Sequence, residues 1–264
     1  MSPEEAITTL IARRLAAKTD GGPLLFGLCG AQGSGKSTIA ARLAAHFPRS
    51  AILSLDDLYL TRAERRRLAD DVHPLLATRG VPGTHDVALG AETIAAVIAG
   101  EPALLPRFDK AADDRAPLST WPRAPRDCRL LIFEGWCVGA RPQPAASLAA
   151  PVNALEADED PDGVWRRYVN AALEAPYRAL FDPIETLALM TAPDWPTVLR
   201  WRTEQEETLR RANDGGRSMN AAQLARFVQH YERLTRHIWS EMPARADLCI
   251  QLDPARRAVA LSGL

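Results

Sequence analysis

Five apolar runs of strand length punctuate the chain, at 24–29, 51–55, 129–133, 186–190 and 247–252. Between them apolar residues recur at helical spacing, notably over 37–47, 87–99, 196–212 and 221–239. A strand covered on both faces has no reason to alternate apolar and polar positions, so continuous apolar runs joined by helices predict right-handed crossovers. The expected fold is α/β: a parallel five-stranded sheet with helices on both faces. Ligands in such sheets gather at the carboxyl ends of the strands. There the runs lead into Gly27-Leu28-Cys29-Gly30, Asp56-Asp57, Glu134-Gly135, Thr191-Ala192 and Asp253-Pro254.

Other stretches depart from this alternation. Ser2-Pro3-Glu4-Glu5 ahead of Ile7, Leu10 and Ile11 reads as the capped start of an amphipathic helix, not a signal peptide. The stretch 140–162, rich in Pro, Ala and acid, has no clean period and is expected to run over the surface. Asn213-Asp214-Gly215-Gly216 interrupts a charged helical pattern, with Ser218 or Asn220 able to cap the next helix. The 264 residues are read as one domain, with 1–20 as the N-terminal helix. Within it, 60–125 and 137–180 are substrate-side insertions, and 196–240 form a lid and its following helix.

Composition narrows the classes. With 32 basic and 33 acidic residues the net charge is -1, which argues against a nucleic-acid binder relying on a broad basic surface. No apolar run approaches membrane-spanning length. Cys29, Cys128, Cys137 and Cys249 are scattered, without metal-ligand spacing, and fit a reducing cytoplasm.

The chemistry begins at GLCGAQGSGKST, 27–38, which satisfies G-x-x-x-x-G-K-[ST] over Gly30, Ala31, Gln32, Gly33, Ser34, Gly35, Lys36 and Ser37, followed by Thr38. It lies between an apolar run and a helical pattern, the context its mechanism demands. Glycines let backbone N–H groups converge on phosphate oxygens, and the helix N-terminus adds the positive end of its dipole. Lys36 is expected at the β- and γ-phosphates, and the Ser37 hydroxyl at Mg²⁺. The plain alternative is a glycine-rich turn with an exposed lysine. No Asn-Lys-x-Asp sequence is present to read guanine, so ATP is the expected nucleotide.

Leu130-Leu131-Ile132-Phe133-Glu134 has the form of a Walker B strand, placing Glu134 to hold Mg²⁺ through its water shell. A helix-capping or solvent-facing glutamate is the alternative. Asp56 and Asp57 follow the second strand. A kinase acting on an alcohol needs a carboxylate to accept the hydroxyl proton, and Asp56, first off the strand, is preferred over Asp57. Asp56 is also a candidate metal ligand, Asp57 could instead cap the next segment, and Tyr59 is a candidate on the acceptor side.

SLDDLYLT at 54–61 resembles the second-strand signature of the phosphoribulokinase, uridine kinase and pantothenate kinase superfamily. RGVPGTHD at 79–86, LPRFDKA at 105–111, EGWCVGA at 134–140, PVNALE at 151–156 and WRRYVN at 165–170 are more specific. They resemble the plant-type D-glycerate 3-kinases and their bacterial and fungal relatives, over most of the chain. The resemblance implies a P-loop kinase dependent on ATP and Mg²⁺ that phosphorylates a small hydroxy acid. One stretch departs from the family pattern: the Gly-rich, Arg-containing segment after PRFDK is here Ala112-Asp113-Asp114-Arg115, which leaves a role for Arg115 open.

A glycerate acceptor carries a carboxylate and two hydroxyls. Arg79, His85, Arg107 and Lys110 are the cations in these motifs, and Asp86 and Asp109 could receive hydroxyls or lock the arginines. Arg107-Phe108-Asp109 could equally be a local ion pair over an aromatic, and Thr84 could simply cap the helix at 87–99. Trp-Arg-x-x-x-Glu recurs in the resembling family and marks Arg202 as a lid arginine; i,i+4 pairing on a solvated helix is the alternative. The expected activity is transfer of the ATP γ-phosphoryl to a small acid, D-glycerate first. A nucleoside or pantothenate acceptor, or a non-kinase ATP-binding regulator, are the rivals. The sequence is silent on oligomeric state.

Overall fold

The computed structural model describes residues 1–212 and 219–263. The expected break at 213–216 and the capping role of Ser218 lie outside the described residues. The chain opens with α1 (Pro3–Ala17), where the Ser2 hydroxyl accepts from Glu5 N and the Glu5 carboxylate accepts from Ser2 N, a reciprocal cap. Then come β1 (Leu24–Gly30), α2 (Lys36–His46) and β2 (Ser50–Ser54). Next are α3 (Arg62–Asp71), α4 (Val87–Ile98) and a small hairpin, β3 (Phe108–Asp109) with β4 (Asp114–Arg115). β5 (Leu130–Gly135) returns to the sheet, followed by α5 (Ala154–Glu159), α6 (Val164–Glu174) and α7 (Pro176–Phe181). The chain continues through β6 (Thr186–Thr191), α8 (Trp195–Ala212), α9 (Ala221–Glu241), β7 (Leu248–Leu252) and β8 (Ala258–Ser262).

The sheet order is β2-β5-β1-β6-β7-β8. All five predicted strands are present and parallel; β8 adds a sixth, antiparallel to β7 at the edge. Its half-exposed five residues lack the continuous apolar run that marks the buried strands. Two further differences concern caps and loops. The stretch 140–162 includes α5, capped by Asn153, whose side chain accepts from Glu156 N. The cap of α4 is Asp86, accepting from Leu89 N at 3.0 Å, and not Thr84, which is buried and hydrogen-bonded to Gly80 N and Val81 O. Asp57 caps nothing either; Thr61 caps α3.

Pleating divides each central strand between two cores. Leu25, Leu53, Leu131, Phe133 and Leu189 pack on one face with Leu180 and Ile238 from the helices; Phe26, Leu28, Ile132, Ala188 and Met190 pack on the other with Ile7, Leu43 and Trp201. Each such buried side chain contributes about 1.5–3 kcal/mol, which fixes the sheet register. That register sets Ser54 beside Glu134 and Cys29 beside Gly135, bringing the functional strand ends to one edge. A third, smaller core of Leu75, Leu76, Val81, Leu155, Trp165 and Val169 supports the segments inserted on that side.

Candidate active site

β1 runs straight into the phosphate loop. Gly33 (φ 76°) and Gly35 (φ 89°) take left-handed backbone that other residues adopt only with strain. Gly35 is the N-cap of α2 and supplies no side-chain cap, so the first N–H groups of that helix are left for a ligand. A Cβ at Gly35 would meet no atom within 4 Å, whereas one at Gly30 would lie 2.9 Å from Ser34 Oγ. Ser34 Oγ is itself buried without a partner, a polar atom consistent with a bound phosphate oxygen. Lys36 opens α2, close enough to Asp56 to lower its pKa.

At the end of β5, Glu134 is 4% exposed. Its Oε1 accepts from Ser37 Oγ at 3.0 Å and Ser54 Oγ at 2.8 Å, while Oε2 is buried with no partner. A buried carboxylate oxygen with spare capacity beside two hydroxyls suits Mg²⁺, which is held through one or two protein oxygens plus substrate phosphates. Among the described residues no group of three or more His, Cys, Asp or Glu forms a self-sufficient metal cage, as expected for that mode. Of the three residues expected at the metal, Ser37 and Glu134 meet; Asp56 gives its oxygens to other partners.

Asp56 Oδ2 accepts from Lys110 Nζ at 2.7 Å and Oδ1 accepts from Tyr59 Oη at 2.6 Å. Burial alone raises the pKa of this carboxyl, but the Lys110 and Lys36 cations and both hydrogen bonds carry it well below the usual range. Asp57 faces the hairpin instead: it accepts from Phe108 N at 3.0 Å and Arg107 Nη1 at 3.3 Å, and burial raises its pKa despite those contacts. The adjacent carboxylates thus separate into a charged one at the phosphate loop and a structural brace.

The acceptor side is an aromatic floor rimmed by ion pairs. Tyr59 stacks on His85 with centroids 4.8 Å apart and meets Phe108 edge-on at 5.2 Å. The Arg79 guanidinium lies over both Tyr59 and Phe108 and pairs with Asp113, which also takes Arg65 at 2.7 Å. One carboxylate therefore answers two guanidiniums. Arg115 pairs with Asp86 at 2.7 Å, giving Arg115 the partner that the sequence left undefined. Arg107 pairs with Asp57, fifty positions away and not within its own motif, and Asp109 forms the hairpin turn, accepting from Ala111 N and Ala112 N on the exposed side. Asp109 thus has a turn-forming role through Oδ1.

His85 is corrected from cation to neutral ring. Gly83 N donates to Tyr177 Oη at 3.0 Å, and His85 Nδ1 is hydrogen-bonded to the same hydroxyl at 2.5 Å. The other ring nitrogen, Nε2, is buried without a partner. Burial lowers the pKa to about 3, with Asp56 opposing.

α8 packs directly on the phosphate loop. A Cβ at Gly33 would lie 2.5 Å from Trp201 Cβ, so glycine is required there for contact as well as for conformation. Arg202 bonds Glu206 at 3.0 Å, four residues on, and its guanidinium sits 5.8 Å from the Phe227 ring centroid, largely buried. The i,i+4 pairing is present, but on a packed face and not a solvated one. Several further residues carry no local mark in the sequence. Arg65 is 1% exposed within the charge-dense RAERRR helix start, and Arg256 donates from Nε to Gly33 O at 2.6 Å while resting on the Trp201 ring. Tyr177 and Tyr231 sit in ordinary helical patterns, where nothing local distinguishes a site residue from a core residue.

No family model matches the chain. It is 34% identical over 246 residues to an uncharacterised kinase of Schizosaccharomyces pombe, covering 88% of this chain and 87% of that one. It is 31% identical over 258 residues to the chloroplastic D-glycerate 3-kinase of Arabidopsis thaliana, covering 90% of this chain and 54% of the plant protein, about half its length. The solved structure of a D-glycerate 3-kinase from Cryptococcus neoformans superposes with a TM-score of 0.82 at 25% identity, covering 99% of each chain. No helix among the described residues is long and apolar enough to cross a membrane.

Proposed function

We propose that this chain, which belongs to the family of P-loop kinases that includes the fission-yeast kinase and the plant D-glycerate 3-kinase, phosphorylates a hydroxyl of D-glycerate at the expense of ATP. Phosphoryl transfer to an alcohol follows from the family; glycerate and ATP as the particular substrates are our assignment. The observation that carries it is the position of Asp56, ionised between Lys36 of the phosphate loop and Lys110 of the acceptor hairpin.

The N–H groups of the glycine loop and Lys36 would bind the triphosphate, and Ser37 with Glu134 would hold its Mg²⁺. Bound MgATP supplies the phosphoryl group and the cation that offsets its charge. Asp56 would orient the acceptor hydroxyl and take its proton as the phosphoryl group is transferred. Tyr59, donating to Asp56, fixes the direction of that carboxylate. The acceptor's own carboxylate would be drawn by Arg79, whose partner Asp113 is shared with Arg65, and by the rim cation Arg115. The unpartnered Nε2 of the neutral His85 ring would hydrogen-bond the acceptor. In this scheme residues 60–125 and 137–180 form the acceptor side of a single kinase domain, and α8 with α9 flank the nucleotide.

Turnover coupled to ADP release on D-glycerate, L-glycerate, uridine and pantothenate tests the assignment. Activity confined to D-glycerate supports it; turnover of uridine or pantothenate with none on glycerate ends it. ATP hydrolysis indifferent to every acceptor would instead favour a regulatory ATPase.

A further inference from the structure

Tyr231, on α9, belongs to none of the motifs above, yet its hydroxyl lies where the two halves of the site meet. It is 3% exposed and donates to Arg79 O at 3.1 Å. The next residue, Gly80, has φ 131°, and a Cβ there would come within 2.1 Å of the Tyr231 hydroxyl. Trp136, two residues beyond Glu134, donates from Nε1 to Gly80 O at 2.8 Å and meets the Tyr231 ring edge-on at 5.0 Å. Two consecutive carbonyls of the acceptor loop are therefore held by two aromatic donors that pack on each other.

The other side of the same hydroxyl faces the nucleotide half. Burial pushes its pKa far up, Asp56 adds to this, and the adjoining Gln32 amide, Arg79 and Arg202 oppose it. The phenol thus stays protonated, hydrogen-bonded beside Gln32 of the phosphate loop. Phe227, one turn earlier on α9, lies between the Arg202 guanidinium (5.8 Å) and the Tyr231 ring (5.2 Å). Gln32 Oε1 is buried without a partner in a loop whose backbone must shape itself around phosphate. Trp136 O also accepts from Cys29 Sγ at 3.3 Å, which joins the Trp136–Tyr231 pair to the end of β1 where the phosphate loop begins.

We propose that Tyr231 is a positioning residue that ties the acceptor loop, residues 79–84, to the phosphate loop, so that nucleotide binding sets the geometry that receives the acceptor. It touches neither reacting atom; it acts through Arg79 and Gly80. The proposal rests on the kinase chemistry of the family and not on the identity of the acceptor.

The test is Tyr231→Phe, which keeps the ring and its packing and removes only the hydroxyl. In wild-type protein a non-hydrolysable ATP analogue with Mg²⁺ is expected to slow amide exchange across 79–86. In the variant this slowing is expected to be lost while the analogue still binds. With the acceptor that wild type phosphorylates best, the variant's acceptor KM is expected to rise about tenfold, the scale of one lost hydrogen bond, with ATP KM and kcat changed less than about threefold. Exchange in 79–86 that responds to the analogue equally in both proteins, or fails to respond in wild type, overturns the proposal. So does a loss of thermal stability that moves both KM values together, the mark of a merely structural tyrosine. Failure of wild type to phosphorylate D-glycerate would sink the substrate assignment alone, because the exchange measurement needs only the nucleotide analogue.

Discussion

Lys110 Nζ lies 2.7 Å from Asp56 Oδ2, joining the β3–β4 hairpin to the residue proposed to take the acceptor's proton. The pair is partly solvent-exposed, so it contributes little to stability, and the role proposed for it is catalytic. The cation keeps the carboxylate ionised and gives it a partner that an incoming hydroxyl can displace.

Asp56→Asn keeps the shape of the side chain and removes its charge and basicity. Acceptor phosphorylation is expected to fall by about 10²–10⁴, the range assigned to general-base catalysis, with ATP-analogue affinity changed less than about threefold. Isothermal titration together with single-turnover kinetics measures both.

The lowered pKa of Asp56 implies that it imposes no acid limb on kcat/KM near neutral pH. Lys110→Met removes the leading cationic influence, so the pKa rises toward the ordinary carboxylate value and the acid limb moves to higher pH. A pH–rate profile that is unchanged by this substitution would separate Lys110 from the ionisation of Asp56.

Glu134→Gln leaves Ser37 and Ser54 an oxygen to donate to but deprives the corner of its charge. The Mg²⁺ concentration for half-maximal activity is expected to rise at least about tenfold, with kcat reduced by about 10² or more. Titration of activity with Mg²⁺ at fixed ATP gives the answer.

Arg256 Nε donates to Gly33 O, and its Nη2 pairs with Glu204 at 2.6 Å, so this side chain fastens the phosphate loop to α8. Arg256 takes φ 64°, a conformation costly for a residue other than glycine. Arg256→Gly removes the side chain without that backbone cost. About tenfold weaker ATP binding is expected, with acceptor KM unaffected, because a charge-assisted hydrogen bond to the loop is lost.

Burial lowers the pKa of His230 to about 4 and of His85 to about 3. Both titrate near 6.5 when unfolded, so between pH 6.5 and those values the unfolded chain binds more protons. Their contribution to stability is complete above pH 6.5 and is lost as pH falls through this window. His230→Gln is expected to reduce the stability lost between pH 7 and pH 5 by about 2 kcal/mol, read from urea unfolding at the two pH values.

The sequence by itself determined the sheet and the phosphate loop, because both are written in local terms. Five continuous apolar runs can be buried only as central strands, and GAQGSGKS at 30–37 needs only a strand before it and a helix after it to bind phosphate. Glu134 and Asp56 were legible for the same reason: they follow apolar runs, and register carries strand ends to one edge. The tertiary structure alone decided how the charged side chains were shared out. Asp56 and Asp57 are adjacent in sequence, yet one meets Lys110 and the other Arg107 and Phe108 N from a hairpin some fifty residues away. His85 meets Tyr177, 92 positions distant, and is kept neutral by its burial, while Arg256 and Tyr231 make their contacts with Gly33 and Arg79 across the fold. Side-chain partners and desolvation arise from packing between remote segments, and no local pattern records them.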